Sequence, residues 1–269
     1  MSFVVNNIIW TEYNFYICII EMGKMEVYSR IIARCEEGKG MFAILIDPEK
    51  MHHNGFSTIA RKASEAKVDL FLIGGSLLSA DVMDECLCEI RAESEIPLII
   101  FPGSLFQINK AADAILFLSL ISGRNPELLI GNHVIAAPYL RESKLEIIPT
   151  GYMLIESGVA TTVLYMSGTF PIPHHKDEIA VNTAMAGEML GLKLIYLDAG
   201  SGATLPVSAS MIRKVRESIE VPLAVGGGIN TPEKAYQARK AGADLIVVGN
   251  AIERDFNLIN EISSCVHEI

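Results

Sequence analysis

The feature that most constrains this chain is a regular alternation of short apolar runs with amphipathic stretches of helical length. The runs fall at Met41–Ile46, Asp69–Ile73, Pro97–Phe101, Asp113–Leu118, Glu146–Ile155, Leu194–Leu197, Pro222–Val225 and Asp244–Val248. They are continuously apolar, which is how strands buried on both faces read. Between most of them lie segments such as GFSTIARKASEAK, ADVMDECLCEIRAES, EIAVNTAMAGEMLG, SASMIRKVRESI and TPEKAYQARKAG. Strand and helix alternating through eight units implies a parallel sheet, and eight units close a (β/α)8 TIM barrel. Such a barrel takes about 250 residues, and no linker or composition shift divides the chain after Met41. A single domain over residues 25–269 is expected.

One unit is short. Between Phe101 and Asp113 only PGSLFQINKAA remains, barely the roughly dozen residues that a parallel crossover needs. The third helix of the barrel is therefore expected to be shortened or missing. A merely shortened helix is the plain reading. The sharper one is a thin wall beside strands 3 and 4, leaving apolar surface that suits a long greasy ligand entering from the side.

The net charge of −10 argues against a nucleic-acid surface, since phosphate backbones need clustered Lys and Arg. It leaves anionic small ligands open, because backbone N–H groups and a metal ion can hold those. Of the five cysteines, only Cys86 and Cys88 are close, at poor spacing for a zinc pair, so idle thiols in a reducing cytosol are expected. No run approaches the roughly 18 uncharged apolar residues of a membrane span. Residues 1–24 are apolar and aromatic but lack a basic residue before Lys24, the reverse of a signal peptide. They read as a loose N-terminal extension, with Met25 as the true start.

The strongest chemical signal is the pair LAVGGGINTPEKA and GADLIVVGNAI. Each is a strand running into glycine. In barrels the loops after strands 7 and 8 commonly cup a phosphate, so Gly226, Gly227 and Gly228 on one side and Gly249 and Asn250 on the other are candidate anion holders. IYLDAGSGA is the sixth strand and its loop, on the same rim, where Gly200, Ser201 and Gly202 can add N–H groups and a hydroxyl. Asp198 at that strand tip would then meet the rest of a phosphorylated ligand. It is read as the partner of a polyol hydroxyl, and as its general base, against the plainer reading of a capping residue.

The first strand ends AILIDPEK and the second FLIGGS. Asp47 and Ser76 thus offer one carboxylate and one hydroxyl from adjacent strand tips. That is a thin protein shell for Mg2+, which completes its octahedron with water and phosphate oxygens, and it points to a second phosphorylated substrate. Lys50 adds a positive charge nearby. His52–His53 and His174–His175 are adjacent pairs whose rings diverge, so neither makes a metal site unaided; the second pair is the better candidate to touch substrate.

Taken in order, LIDPEK, GGS, PIPHHKDEIA, YLDAGSGA, VGGGI and VVGNAIE resemble geranylgeranylglyceryl phosphate synthase, a prenyltransferase family of ether-lipid synthesis. The likeness runs from about Met25 to the C-terminus. It implies that sn-glycerol 1-phosphate is alkylated at its C3 hydroxyl by geranylgeranyl diphosphate, with release of diphosphate, in a Mg2+-dependent cytoplasmic enzyme. By the family pattern Asp47 and Ser76 would bind the metal. Tyr196, Leu197, Asp198, Ala199, Gly200, Ser201, Gly202, Gly227, Gly228, Gly249 and Asn250 would hold glycerol 1-phosphate, with Asp198 and Tyr196 at the chemistry. The resemblance also implies a barrel lacking its third helix, a prenyl channel near that gap, a homo-oligomer (dimer or hexamer) in which Tyr139 is a candidate contact, and transient membrane proximity for the lipid product. Two positions depart from the pattern: many members carry Glu at the place of Asp198, and an Arg is common where His174–His175 stand. The rival readings are a sugar-phosphate isomerase on the same scaffold and a non-catalytic binder of phosphorylated ligands.

Overall fold

Apolar runs of this length bury both faces when helices cover the sheet, and closing the sheet on itself gives every strand two neighbours and leaves no edge unpaired. A computed structural model of the protein, describing residues 26–51, 55–75 and 80–268, shows that closure. The strands are β1 (Met41–Ile46), β2 (Leu70–Ile73), β3 (Leu98–Ile100), β4 (Ala114–Leu120), β5 (Glu146–Leu154), β6 (Leu194–Asp198), β7 (Leu223–Gly226) and β8 (Leu245–Val248). They pair in sequence order, all parallel, and β8 returns to β1. The expected extension at residues 1–24 lies outside the described residues.

The helices in chain order are α1 (Val27–Glu36), α2 (Gly55–Glu65), α3 (Ala80–Glu93), α4 (Asn132–Ser143), α5 (Thr162–Ser167), α6 (Asp177–Met189), α7 (Ala209–Arg216), α8 (Pro232–Lys240), α9 (Asn250–Arg254) and α10 (Leu258–His267). Between β3 and β4 there is no α-helix, only a 3-10 turn at Leu105–Gln107. The thin wall expected from the short connection is thus present. The outer faces of Ile100 and Ile115 pack there against Ala136, Leu140 and Leu145, under Leu105, Ile108 and Phe117.

Two larger apolar layers hold the rest together. Inward-facing residues such as Leu72, Leu116, Ile148 and Val247 fill the barrel, while outward-facing Phe42, Phe71, Ile195 and Ile246 meet the helices. The acidic residues that open three of the strands have a shared job at the N-terminal rim. Asp69, Asp113 and Asp244 accept the backbone N–H groups of Phe42, Leu98 and Leu223 at 2.8, 2.9 and 2.8 Å, each from the preceding neighbour strand. Arg34, Arg91 and Arg216 pair with the same three carboxylates. Conformational freedom is spent there on stability, leaving the opposite rim free for loops that bind.

Candidate active site

Side chains of alternate residues in β6 point into the barrel, so Leu194 and Tyr196 lie inside and Asp198 emerges at the C-terminal mouth. Register places Tyr196 beside Tyr152 of β5 and Asp198 beside Gly226 of β7. The Tyr152 hydroxyl donates to Asp198 Oδ2 at 2.6 Å, and the Gly200 N–H donates to Oδ1 at 2.7 Å. Phe101, Tyr152 and Tyr196 form a cluster beneath, with ring centroids 5.6–5.8 Å apart; Tyr152 meets both other rings edge-on, and Phe101 is tilted against Tyr196. Asp198 is only 7% exposed. Burial pushes its carboxyl up from the ordinary aspartate range, and the bonds from Tyr152 and Gly200 pull it part of the way back. Burial first, and the nearby carboxylate second, push both tyrosine phenols well up, so they stay protonated donors.

The loop after β7 is built to approach that carboxylate. Gly227 has φ +77°, and a Cβ there would lie 2.6–2.7 Å from the backbone N of Gly200 and Ala199 and from Asp198 Oδ1. Gly228 is also left-handed, at φ +69°. Only glycine permits both the angle and the approach. Across the mouth Ser201 Oγ donates to Asn250 Oδ1 at 3.1 Å, tying the loop after β6 to the start of α9. Thr231 caps α8 through its side chain, with Pro232 in the first turn.

Asp47 stands at the tip of β1. Its Oδ2 pairs with Lys50 Nζ at 2.8 Å, and its N–H donates to Glu253 Oε1 at 3.1 Å. Burial pushes the Glu253 carboxyl up from its usual value. Among the described residues no three His, Cys, Asp or Glu gather as a metal cluster.

One cavity of about 580 Å³ at this mouth is lined by Asp47, Lys50, Tyr196, Asp198, Gly200, Ser201, Gly202, Gly227, Gly228, Gly249 and Asn250. Leu197 and Ala199 do not line it; both turn outward into the layer under the helices. Ala199 contributes to the site through its backbone, donating its N–H to the Gly226 carbonyl at 3.0 Å. Ser76, His52 and His53 lie outside the described residues. His174 and His175 are absent from the lining, and His174 Nε2 meets the Pro206 carbonyl at 3.0 Å, a loop anchor. Tyr152, Glu253 and Arg254, not anticipated from sequence, all line the cavity. For Tyr152 the signal was its distance from the end of a long strand, which matches the distance of Tyr196 from the end of β6.

A second, apolar cavity of about 100 Å³ opens at the missing helix, between β4 and α4. Pro102, Gly103 and Leu118 line both cavities, so the polar mouth and the apolar gap adjoin.

The PcrB family model matches residues 33–266. A geranylgeranylglyceryl phosphate synthase of Spirosoma linguale is 55% identical over 231 residues, spanning 86% of this chain and 93% of that protein. That of Pyrococcus abyssi is 40% identical over 236 residues, spanning 87% and 92%. Among solved structures, the Thermoplasma acidophilum (S)-3-O-geranylgeranylglyceryl phosphate synthase in complex with its substrate sn-glycerol-1-phosphate superposes with a TM-score of 0.87 at 33% identity, covering 91% of this chain and all of that one. The tryptophan synthase alpha chain of Legionella pneumophila, at 15% identity and a TM-score of 0.59, shares the fold alone.

Proposed function

The chain belongs to the PcrB family, with the geranylgeranylglyceryl phosphate synthases as its relatives, and from that premise we propose that it transfers a geranylgeranyl group from geranylgeranyl diphosphate to the C3 hydroxyl of sn-glycerol 1-phosphate. The observation that carries this reading is the junction of the two cavities. A glycine-lined polar mouth with one buried carboxylate adjoins an apolar slot where the barrel wall is open. A sugar-phosphate isomerase has no use for the second half of that arrangement, and neither does a plain phosphate binder.

In the reaction, the bond between prenyl C1 and its diphosphate oxygen breaks, the diphosphate leaving with the electron pair. A bond forms between C1 and glycerol O3, and the O3 proton passes to Asp198. The backbone donors of Gly227, Gly228, Gly249 and Asn250 hold the glycerol phosphate. Asp198, kept in place by Tyr152 and Gly200, orients O3 and accepts its proton. Its raised affinity for a proton makes it a better base than a solvated aspartate. Tyr196 packs under Asp198 and lines the mouth, holding the glycerol against the carboxylate. The dry aromatic floor strengthens each of these interactions.

Asp47 supplies the kind of hard oxygen that Mg2+ takes, and by the family pattern Asp47 and Ser76 would be the residues to hold it. The ion would supply charge neutralisation for the leaving diphosphate. Lys50 Nζ, 2.8 Å from Asp47 Oδ2, adds a positive charge at the same place.

The remainder of the reading is a cytoplasmic enzyme acting on a membrane lipid precursor. No helix among the described residues is long and apolar enough to cross a membrane. Ile130, Val134, Ile135 and Tyr139 leave an exposed apolar face along and before α4, which supports a homo-oligomer, dimer or hexamer, with Tyr139 as an anchor. The test is mass spectrometry of products from sn-glycerol 1-phosphate and prenyl diphosphates of several lengths, with and without Mg2+. A Mg2+-dependent prenyl ether is expected; purified protein that forms no ether with any donor rejects the assignment.

A further inference from the structure

Where the parallel ladder between β2 and β3 ends, a side chain takes the place of the next rung. The last bond runs from the Phe101 N–H to the Ile73 carbonyl at 2.9 Å. Two residues further along each strand, the next would run from the Gly103 N–H to the Gly75 carbonyl. Instead the Gly103 N–H donates to Gln107 Oε1 at 3.0 Å, and Gln107 Nε2 donates to the Gly75 carbonyl at 2.7 Å. An N–H on one side and a carbonyl on the other allow only this orientation of the amide. Gln107 is 2% exposed. It ends the 3-10 turn that stands where the third helix is missing, and its own N–H, 3.3 Å from the Ser104 carbonyl, folds the linker back toward Gly103.

The inserted amide lies between the two halves of the site. Gly75 lines the polar mouth and rests on Asp47, so that a Cβ there would lie 2.5 Å from Asp47 Oδ1. Gly103 lines the mouth and the apolar slot alike. Just before this point the strands run close, since a Cβ on Gly74 would collide with the Phe101 carbonyl. The Gln107 amide therefore holds apart, by the length of one amide group, two strand tips that direct hydrogen bonding would draw together.

We propose that Gln107 is a positioning residue for the prenyl donor, a wedge that keeps the β2 and β3 tips at the separation which lets one molecule reach from the Asp47 side of the mouth into the slot. This rests on the prenyltransfer reading above. A diphosphate head beside Asp47 and a tail over Gly103 belong to one ligand, so its affinity depends on the spacing between the two places. A ligand that fills only one of them is indifferent to that spacing. Without the amide, the Gly103 N–H and the Gly75 carbonyl are left to pair with each other, since buried polar groups unpaired are costly. The rung then closes and the passage narrows. An amide that served stability alone would change the melting temperature and leave the ratio of affinities between whole and partial ligands as it was.

The experiment measures, by calorimetry in Mg2+ buffer, the binding of geranylgeranyl diphosphate, inorganic diphosphate and sn-glycerol 1-phosphate to wild type, Gln107→Ala and Gln107→Met. Alanine makes room for the rung to close, and methionine keeps the volume without the polar atoms; thermal melts establish that each variant folds. Geranylgeranyl diphosphate is expected to bind about tenfold more weakly, with the other two ligands within about twofold of wild type. In turnover the KM for the prenyl donor rises while that for glycerol 1-phosphate stays. A ratio of geranylgeranyl diphosphate to inorganic diphosphate affinity that holds within about twofold of wild type in every folded variant overturns the proposal. Wild type supplies a measurement that needs no variant. Gly103 is exposed, yet its N–H should exchange slowly with solvent deuterium because Gln107 holds it; exchange at the rate of a free peptide overturns the wedge. Wild type that binds no prenyl diphosphate overturns the prenyltransfer reading and this proposal with it, whereas wild type that binds and turns over, with an unaltered ratio in the variants, overturns this proposal alone.

Discussion

Replacing Tyr152 by Phe removes one oxygen and leaves the aromatic cluster with Phe101 and Tyr196 in place. What is lost is the hydroxyl that donates to Asp198 Oδ2 at 2.6 Å. That bond favours the charged carboxylate and opposes the upward push of burial. A hydrogen bond to a charged group contributes about 1.5–3 kcal/mol, and 1.36 kcal/mol corresponds to about one pKa unit. The Asp198 carboxyl in the variant should therefore titrate about one to two units higher than in wild type. If ionised Asp198 is the base, the rate falls as pH drops through its folded pKa, and the acid limb of kcat/KM moves up by that interval. Rates well above the limb should fall far less. The stability consequence has the same origin. A carboxyl whose folded pKa lies above its unfolded value binds more protons when folded, so stability falls as pH rises through that window. In the variant the window widens upward, costing about 1.5–3 kcal/mol at neutral pH and less near about pH 3, below the unfolded carboxyl's ordinary pKa of about 3.9, where the group is mostly protonated in both states. The assay is a pH profile of kcat/KM with urea unfolding at two pH values. An acid limb that stays where wild type has it, in a folded variant, refutes the link between Tyr152, Asp198 and proton transfer.

Asp198→Asn should lower kcat by about 10²–10⁴ yet match or exceed wild-type stability at neutral pH, because the buried charge is gone; a thermal melt and an initial rate check both halves. Gly227→Ala forces a left-handed alanine, costing about 1–2 kcal/mol, and presses its Cβ on Asp198 Oδ1 and the Gly200 and Ala199 nitrogens. It should be destabilised by at least that much and show a raised KM for glycerol 1-phosphate with the prenyl donor's KM little changed. Asp47→Ala should weaken the apparent Mg2+ affinity of turnover by at least about tenfold, read as a higher half-saturating Mg2+ concentration in a titration of the rate; an unshifted titration confines Asp47 to its pair with Lys50.

Much of this molecule is legible in its sequence because a closed parallel barrel buries each strand on both faces. The eight apolar runs announce themselves, and the observed strands fall within a few residues of them. The thin wall is legible as well, since eleven residues from Pro102 to Ala112 leave no room for a helix after the turns. The glycine loops and Asp198 read correctly as one cavity because strand tips of a barrel share a rim. What hides is parity and partnership. In the run Glu146–Ile155 the place of Tyr152 near the strand end hints that it faces inward like Tyr196, but nothing in the sequence says that its hydroxyl reaches Asp198. The same blindness covers Leu197 and Ala199, which a contiguous motif carries into the site while alternation turns their side chains away from it. His174 looked chemical in sequence and serves as a bond to the Pro206 carbonyl, and His133, which drew no notice, stands in the slot.

The most direct measurement is a crystal structure with sn-glycerol 1-phosphate and an unreactive thio analogue of geranylgeranyl diphosphate bound together. The account predicts phosphate against the Gly227–Gly228 and Gly249–Asn250 loops, the C3 hydroxyl in hydrogen-bonding reach of Asp198, and the hydrocarbon descending between β4 and α4 past His133. Density showing the tail inside the barrel or on another face, with the slot empty, contradicts it.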